Sequence, residues 1–341
     1  MTGPSASVTG GGPADGRAVF DAAQRWFASS AIASARRLMR GEITEADLAR
    51  AFAGFGLAEM LAEEASPAER AAIIGDVALA AGRQLYVGPL LETTLDAVLG
   101  AITTADGRPI DELPTGACTI ARPIPAGRDD LTTVALPHAA CLNAAIIVGP
   151  SPWWCPVPAG IASEQQVDGT TLAILTVDPR EPSPPQRAVP DVLVTELEDL
   201  SILSDAARLI GIAERVAELS NAQLSIRHQF GRALASFQAL QHRAVDRHLA
   251  NTLSRALLDQ TVRCWEDAAT RRAALPALKV VAADAAVDGA EHAVQMFGAM
   301  GFTDECEVGL YLRHALVVAA RRGNAADHRR TLADVEVAFL S

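Results

Sequence analysis

Apolar residues recur every three to four positions through two long stretches of the chain, and the stretch between them has a different rhythm. From about Arg17 to Thr104 helix breakers are few. Ala18, Ala22 and Phe27 mark one early apolar face, and Leu48, Phe52, Phe55, Leu57 and Leu61 repeat the spacing. Ser66-Pro67-Ala68-Glu69 combines a capping hydroxyl, a proline at the first helical position and a glutamate at the third, which predicts a helix start. That helix is expected to reach about Ala81, to end at Gly82, Gly88 and Pro89, and to be followed by another from Leu91. After Glu196 the helical rhythm returns. Leu209, Ile212, Ala213, Val216 and Leu219 stripe a helix expected over 205–224. Further helices are expected over 237–265, 277–300, 311–321 and 325–339, with Gly298 and Gly301 closing the second of these.

The residues from Asp106 to about Pro190 are rich in Pro, Gly, Thr and Val. Runs at 117–124, 131–136, 144–148 and 170–177 predict strands. Pro150, Pro152, Pro156 and Pro158 confine anything among them to an edge or a loop, and 180–190 reads as a proline-rich linker. The chain therefore divides into a disordered tail (1–16), an N-terminal helical domain (17–105), a reduced middle β domain (106–196) and a C-terminal helical bundle (197–341). The fold class is mainly α with a small β domain.

Composition narrows the chemistry. At 341 residues, half of them hydrophobic, the chain can bury a large core, and its scarcity of aromatics favours helices packed through small residues. A net charge of −12 argues against nonspecific nucleic-acid binding. Arg321, Arg322, Arg329 and Arg330 form a basic cluster, read by default as a solvated helix face. The five cysteines have no C-x-x-C pair, so neither zinc nor a disulfide framework is expected, and a reduced cytoplasmic setting fits. No run has the roughly 18–20 apolar residues of a membrane span, and the Gly- and Ser-rich start has no positive region of a signal peptide.

Candidate binding chemistry lies in Arg227-His228-Gln229-Phe230-Gly231, Phe237-Gln238 and Gln295-Met296-Phe297-Gly298-Ala299-Met300-Gly301-Phe302. Arg227 offers a planar charged fork for phosphate oxygens, and Phe230 an aromatic surface. Gln238 and Gln295 offer carboxamides that donate and accept, and Gly298 with Ala299 allows close backbone approach. Together with Phe55-Gly56-Leu57, Gly82-Arg83-Gln84-Leu85, Gly88-Pro89-Leu90 and Leu312-Arg313-His314-Ala315, in this order, the chain resembles the acyl-CoA dehydrogenase family. The resemblance implies an N-terminal helical domain, a middle β domain and a C-terminal four-helix bundle. It also implies FAD as cofactor, with Arg227, Gln229, Phe230, Gln238, Gln295, Gly298 and Ala299 as cofactor-binding residues. In the family these motifs serve the flavin of a neighbouring subunit.

The same resemblance exposes departures. The family removes a thioester α-proton with a carboxylate, and Arg322-Gly323-Asn324 stands where Glu-Gly-Thr is usual. A guanidinium cannot accept that proton near neutral pH. Counting back from Phe230 to the alternative base position gives Ser201, with Glu198, Asp199 and Asp205 nearby. Asp205 is the residual catalytic candidate, weighed against a role as a helix-start residue. The middle domain lacks the family's ring-cradling segments. Trp153-Trp154 is read as packing under a proline-rich loop, with stacking on a flavin as the alternative. His228, His242 and His314 are read as structural or exposed, with no carboxylate at triad-like spacing.

The resemblance is therefore to the short, base-lacking subunit of a heteromeric, steroid-type acyl-CoA dehydrogenase. It implies a heterotetramer with a homologous catalytic subunit, an acyl-CoA substrate, an FAD shared across the interface and electron-transfer flavoprotein as a candidate acceptor. The alternatives are a self-sufficient enzyme using Asp205 or Glu198, and a non-catalytic scaffold.

Overall fold

A computed structural model describes residues 16–62, 66–95, 98–99, 116–124, 131–178, 187–303 and 305–340. The expected tail, apart from its last residue, and most of the proline-rich linker lie outside the described residues. Among the described residues the first helices are α1 (Gly16–Ala28), α2 (Ala31–Met39), α3 (Glu45–Ala53), α4 (Leu57–Ala62) and α5 (Pro67–Arg83). Seven strands follow: β1 (Cys118–Ala121), β2 (Thr132–Pro137), β3 (Ala144–Ile147), β4 (Trp153–Pro156), β5 (Ser163–Gln165), β6 (Thr171–Val177) and β7 (Arg187–Ala188). The rest is helical except for one small hairpin: α6 (Asp191–Ile226), β8 (His228–Gln229), β9 (Arg232–Ala233), α7 (Gln238–Arg263), α8 (Ala268–Phe297), α9 (Glu307–Ala320) and α10 (Ala325–Leu340).

Local chemistry sets the helix starts. Ser66 Oγ accepts from the Glu69 N–H at 3.2 Å while the Glu69 carboxylate accepts from the Ser66 N–H at 2.7 Å, closing the expected capping box of α5. Thr44 and Asp47 close the same box on α3. The early apolar stripe runs through Ala23 and Phe27, with Val19 packed against the core, one residue away from the expected Ala18 and Ala22; Ala18 is exposed. The helix expected from Leu91 is a turn over Leu91–Thr94, with helix at Leu95, Val98 and Leu99. Helix α8 starts nine residues earlier than 277, because the Asp267 carboxylate caps the Ala269 and Thr270 N–H groups and Pro276 is accommodated inside the helix.

Every residue of α6 from Leu200 to Ala213 is buried, which marks it as the central helix of the bundle. It crosses α5 at two glycines. A β-carbon on Gly82 would lie 2.0 Å from the Arg208 carbonyl oxygen, and one on Gly211 would lie 2.1 Å from that of Leu79, so the backbones touch where no side chain fits. Helix α7 behaves differently. Its buried residues are Ser254, Leu258 and Thr261, all toward its C-terminal end. Val245, Leu249 and Leu253, spaced four apart, stand 60%, 58% and 61% exposed.

The β domain is two sheets, ordered β1-β3-β4-β7 and β2-β6-β5. Strands β1 and β3 pair in parallel, and the other pairings in both sheets are antiparallel. Alternation divides β3 between two cores: Ala144 and Ile146 join the main helical core, whereas Ala145 and Ile147 join a smaller core with Val134 and Leu136 of β2. The expectation that 150–158 holds only an edge or loop is corrected. Strand β4 lies inside its sheet, because its prolines flank the run and Pro156 sits at its end. Trp154 packs on the main core and Trp153 on the smaller one. Among the described residues no helix is long and apolar enough to cross a membrane, and no cluster of metal-ligating side chains occurs.

Candidate functional site

Two loci carry the candidate chemistry, one on the surface and one buried. The surface locus is built where α6, α7 and α8 end or begin. Strands β8 and β9 form a hairpin with Gln229 paired to Arg232, so Phe230-Gly231 is a two-residue turn. Both residues have positive φ, 52° and 75°, the requirement of the type I′ turn that matches strand twist. A phenylalanine in that conformation is unusual, and its ring is 90% exposed. Phe230 meets Phe237 edge to face at 6.2 Å, and the Arg232 guanidinium lies 3.9 Å from the Phe237 ring centre. Arg227 Nη1 donates to the Phe297 carbonyl at 2.9 Å, tying the hairpin to the end of α8, and a β-carbon on Gly298 would meet that guanidinium at 3.5 Å. Gln238 opens α7 after Phe237, which provides no side-chain cap but whose carbonyl accepts from the Leu240 and Gln241 N–H groups at 2.9 and 3.1 Å. Gln229, Gln238, Gln295 and Ala299 are exposed, and Arg227 and Gly298 are half-buried.

The buried locus surrounds Arg322. This residue follows α9 with φ of 54°, ahead of Gly323 at 93°. Its Nη2 donates to Glu92 Oε1 at 3.0 Å and its Nη1 to Asp205 Oδ2 at 3.2 Å, with all three side chains at most 9% exposed. Burial alone pushes the Glu92 carboxyl up, but His138, Arg322 and Arg321 outweigh it and hold it well below the usual carboxylate range. Asp205 is likewise pushed up by burial and held below its ordinary value by Arg322, Lys279 and Arg321. Lys279, fully buried, is lowered to about 8 by burial, with Asp205 opposing, and donates to the Val318 carbonyl at 2.7 Å.

Two buried histidine–carboxylate pairs border this locus. His138 Nδ1 lies 2.6 Å from Glu45 Oε1, and Glu45 also accepts from Thr171 through its backbone N–H and its hydroxyl. His314 Nδ1 lies 2.8 Å from Asp168 Oδ2, and burial, with Asp168 opposing, lowers that imidazole to about 4. His314 therefore does have a carboxylate partner. Asp168 comes from the turn before β6, at a separation in sequence that no spacing pattern reads. The basic cluster also divides. Arg329 and Arg330 lie on a solvated face as expected, with side chains 54% and 76% exposed, whereas Arg321 and Arg322 are buried beneath it. His138 and Glu45 carried no sequence signal of their own.

The structure thus brings Arg227, Phe230, Gln238 and the end of α8 to one side of the bundle. It places Asp205 apart from them, in an ion pair with the residue that occupies the expected base position. An all-helical bundle behind two small sheets defines the class of fold, and comparisons with known proteins place it. Residues 202–336 match the family described as acyl-CoA dehydrogenase, C-terminal domain. The chain is 29% identical to acyl-CoA dehydrogenase IpdE2 of Mycobacterium tuberculosis over 236 residues, covering 69% of this chain and 68% of that protein. Two solved structures share the fold along nearly the whole length. One is the Tcur3481-Tcur3483 steroid ACAD G363A variant, with a TM-score of 0.74, 20% identity, and 96% and 98% of the two chains covered. The other is the ChsE4-ChsE5 complex from Mycobacterium tuberculosis, with a TM-score of 0.75, 17% identity and the same coverage.

Proposed function

We propose that this chain is one subunit of a flavin-dependent acyl-CoA dehydrogenase that works beside a homologous catalytic subunit. On this reading it contributes the adenine and pyrophosphate half of a shared FAD site and not the catalytic base. The observation that carries the reading is the opposition of the two loci. The residues suited to a dinucleotide face outward, and the position of the base is filled by a guanidinium locked between Glu92 and Asp205.

The residues fit the group. Arg227 uses Nη1 on the Phe297 carbonyl, which fixes a cation beside Gly298 at the end of α8. Phe230 gives an exposed apolar surface, and the uncapped start of α7 favours an anion. Gln229, Gln238 and Gln295 would bond the ribityl and adenine ends, and Gly298 with Ala299 leaves room for backbone approach. When bound, the flavin supplies the hydride acceptor for α,β-dehydrogenation of the thioester. The exposed Val245, Leu249 and Leu253 stripe on α7 supports a partner helix packed alongside. Asp205 is a poor base as placed, because a carboxylate held ionised by a cation has little affinity for a further proton. The steroid ACAD among the structural neighbours supports a bulky acyl-CoA as the substrate class.

The test is co-expression with a homologue that carries an intact base. The complex is expected to hold flavin in fixed proportion and to oxidise an acyl-CoA, and this chain alone to hold little. A chain that purifies by itself saturated with flavin and turns over a thioester would end this reading.

A further inference from the structure

The buried locus has donors left over. Arg321 is 7% exposed, and neither its Nε nor its Nη2 has a hydrogen-bond partner. These two nitrogens form the side edge of the guanidinium, whose parallel N–H bonds match the two oxygens of a carboxylate. Arg208, 2% exposed, makes only long bonds of 3.4 and 3.5 Å from its Nη atoms to the Gly88 carbonyl, and its Nε has no partner. His138 and His314 each commit Nδ1 to a carboxylate and leave a buried Nε2 without one.

Among the described residues no neighbouring carboxylate is left to fill the edge. Glu45 is taken by His138 and Thr171, and Asp168 by His314 and Thr170. Glu92 lies between Arg322 and the Leu90 N–H, and Asp205 accepts from Arg322. A buried guanidinium edge without an acceptor is costly, and native interiors rarely keep one. Arg321 also contributes to the downward shift of both Arg208 and His314, so these groups lie within electrostatic reach of one another.

We propose that this locus binds a small carboxylate, gripped side-on by Arg321 Nε and Nη2 and shared with Arg208. The site is separate from the surface locus and does not depend on the flavin reading. A single water can accept from both N–H groups but carries no charge to answer the guanidinium. The cations Lys279, Arg208, Arg321 and Arg322 match the carboxylates Glu45, Glu92, Asp168 and Asp205 in number. Lys279, lowered to about 8 by burial, loses its proton as pH rises through that value, so an added anion is held more firmly at pH 6 than at pH 8.

The test is the melting temperature of the full chain titrated with acetate at constant ionic strength. A saturable rise of about 5 °C at hundredfold excess over Kd is expected, larger at pH 6 than at pH 8. Arg321→Met is expected to abolish the rise, and Arg330→Met, on the solvated face, to keep it. Wild-type crystals grown with bromide supply a second readout, independent of any variant's folding. An anomalous peak within hydrogen-bond distance of Arg321 Nε and Nη2 is expected. Ordered water alone at that edge, a response to acetate no greater than to phosphate, or an acetate response retained in Arg321→Met would each overturn the assignment.

Discussion

Replacing Arg322 with methionine removes the one side chain that bonds both Glu92 and Asp205, at 3.0 and 3.2 Å, and leaves two carboxylates buried without it. Methionine keeps the volume and apolar stem, so the perturbation is mainly one of charge. Truncating one partner of a buried ion pair costs about 3–5 kcal/mol. Lys279 and Arg321 lie close enough to oppose part of that loss, since both act on Asp205. A destabilisation of about 3 kcal/mol is expected at pH 7.5, a large share of the roughly 5–15 kcal/mol that holds a typical protein folded. Adding Glu92→Gln and Asp205→Asn is expected to recover most of it, because a buried pair replaced as a whole is often nearly neutral.

The pH dependence gives this prediction a sign. In the wild type both carboxyls sit below their ordinary values, so their contribution is complete above the unfolded pKa of about 4 and is lost as pH falls through the folded values. Without the Arg322 guanidinium Glu92 keeps His138 and Arg321, but Asp205 loses its foremost cation and burial pushes that carboxyl up, so its protonation favours the folded state and the variant regains stability as pH falls from 7.5 toward 5.5. Urea denaturation followed by circular dichroism at both pH values reads the difference. A deficit below about 1 kcal/mol at pH 7.5, or one that widens at pH 5.5, would refute the reasoning.

Four further outcomes follow from the same structure. Phe230→Gly is expected to change stability by less than about 1 kcal/mol, since relief of the left-handed backbone offsets the freedom gained by the unfolded chain, while lowering the flavin-to-protein ratio of the co-purified complex. Gly211→Ala, which drives a methyl into the Leu79 carbonyl, is expected to cost about 3 kcal/mol or more in a thermal melt. Leu249→Asp on the exposed face of α7 is expected to shift the chain's own stability by no more than about 0.5 kcal/mol and, under the proposed heteromeric function, to prevent assembly with a homologous subunit in size-exclusion chromatography. Asp76, raised to about 6 by burial, loses stability as pH climbs from about 4 through 6, so Asp76→Asn is expected to flatten that part of the stability–pH curve.

What could be read in advance was local. Ser66 and Glu69 are three residues apart and need no knowledge of the fold, so the start of α5 was legible. The departure at Arg322 was legible for the same reason, as a residue type out of place in a short motif. Its burial was not, because Glu92 and Asp205 reach it across separations of 230 and 117 residues. The same holds for His314 with Asp168 and His138 with Glu45, at 146 and 93. A periodicity reports which face is apolar, not which charge will be sealed behind it. The hairpin at Phe230-Gly231 escaped notice because its flanking strands are two residues long and its first turn residue is not one of the usual Asn, Asp or Gly.

The backbone marks the two loci independently of side-chain chemistry. Among the described residues, four that are not glycine have positive φ: Leu85, His138, Phe230 and Arg322. Phe230 is the surface tip. Arg322 and His138 belong to the buried locus, and Leu85 adjoins Tyr86, which burial and the neighbouring Arg208, Glu92 and Glu45 tie electrostatically to it. Such conformations persist only where the surroundings over-determine them. At Arg322 the two carboxylates do so, and at His138 the Glu45 pair does. At Phe230 the hairpin pairing sets the backbone, but the side chain is exposed and meets Phe237 edge to face. A strained residue supported by its own core is explained by that core. An aromatic residue held in that conformation with its ring in solvent is free to meet a partner or ligand, and that asymmetry is what the proposed reading uses when it assigns the cofactor-facing end of this chain to the hairpin.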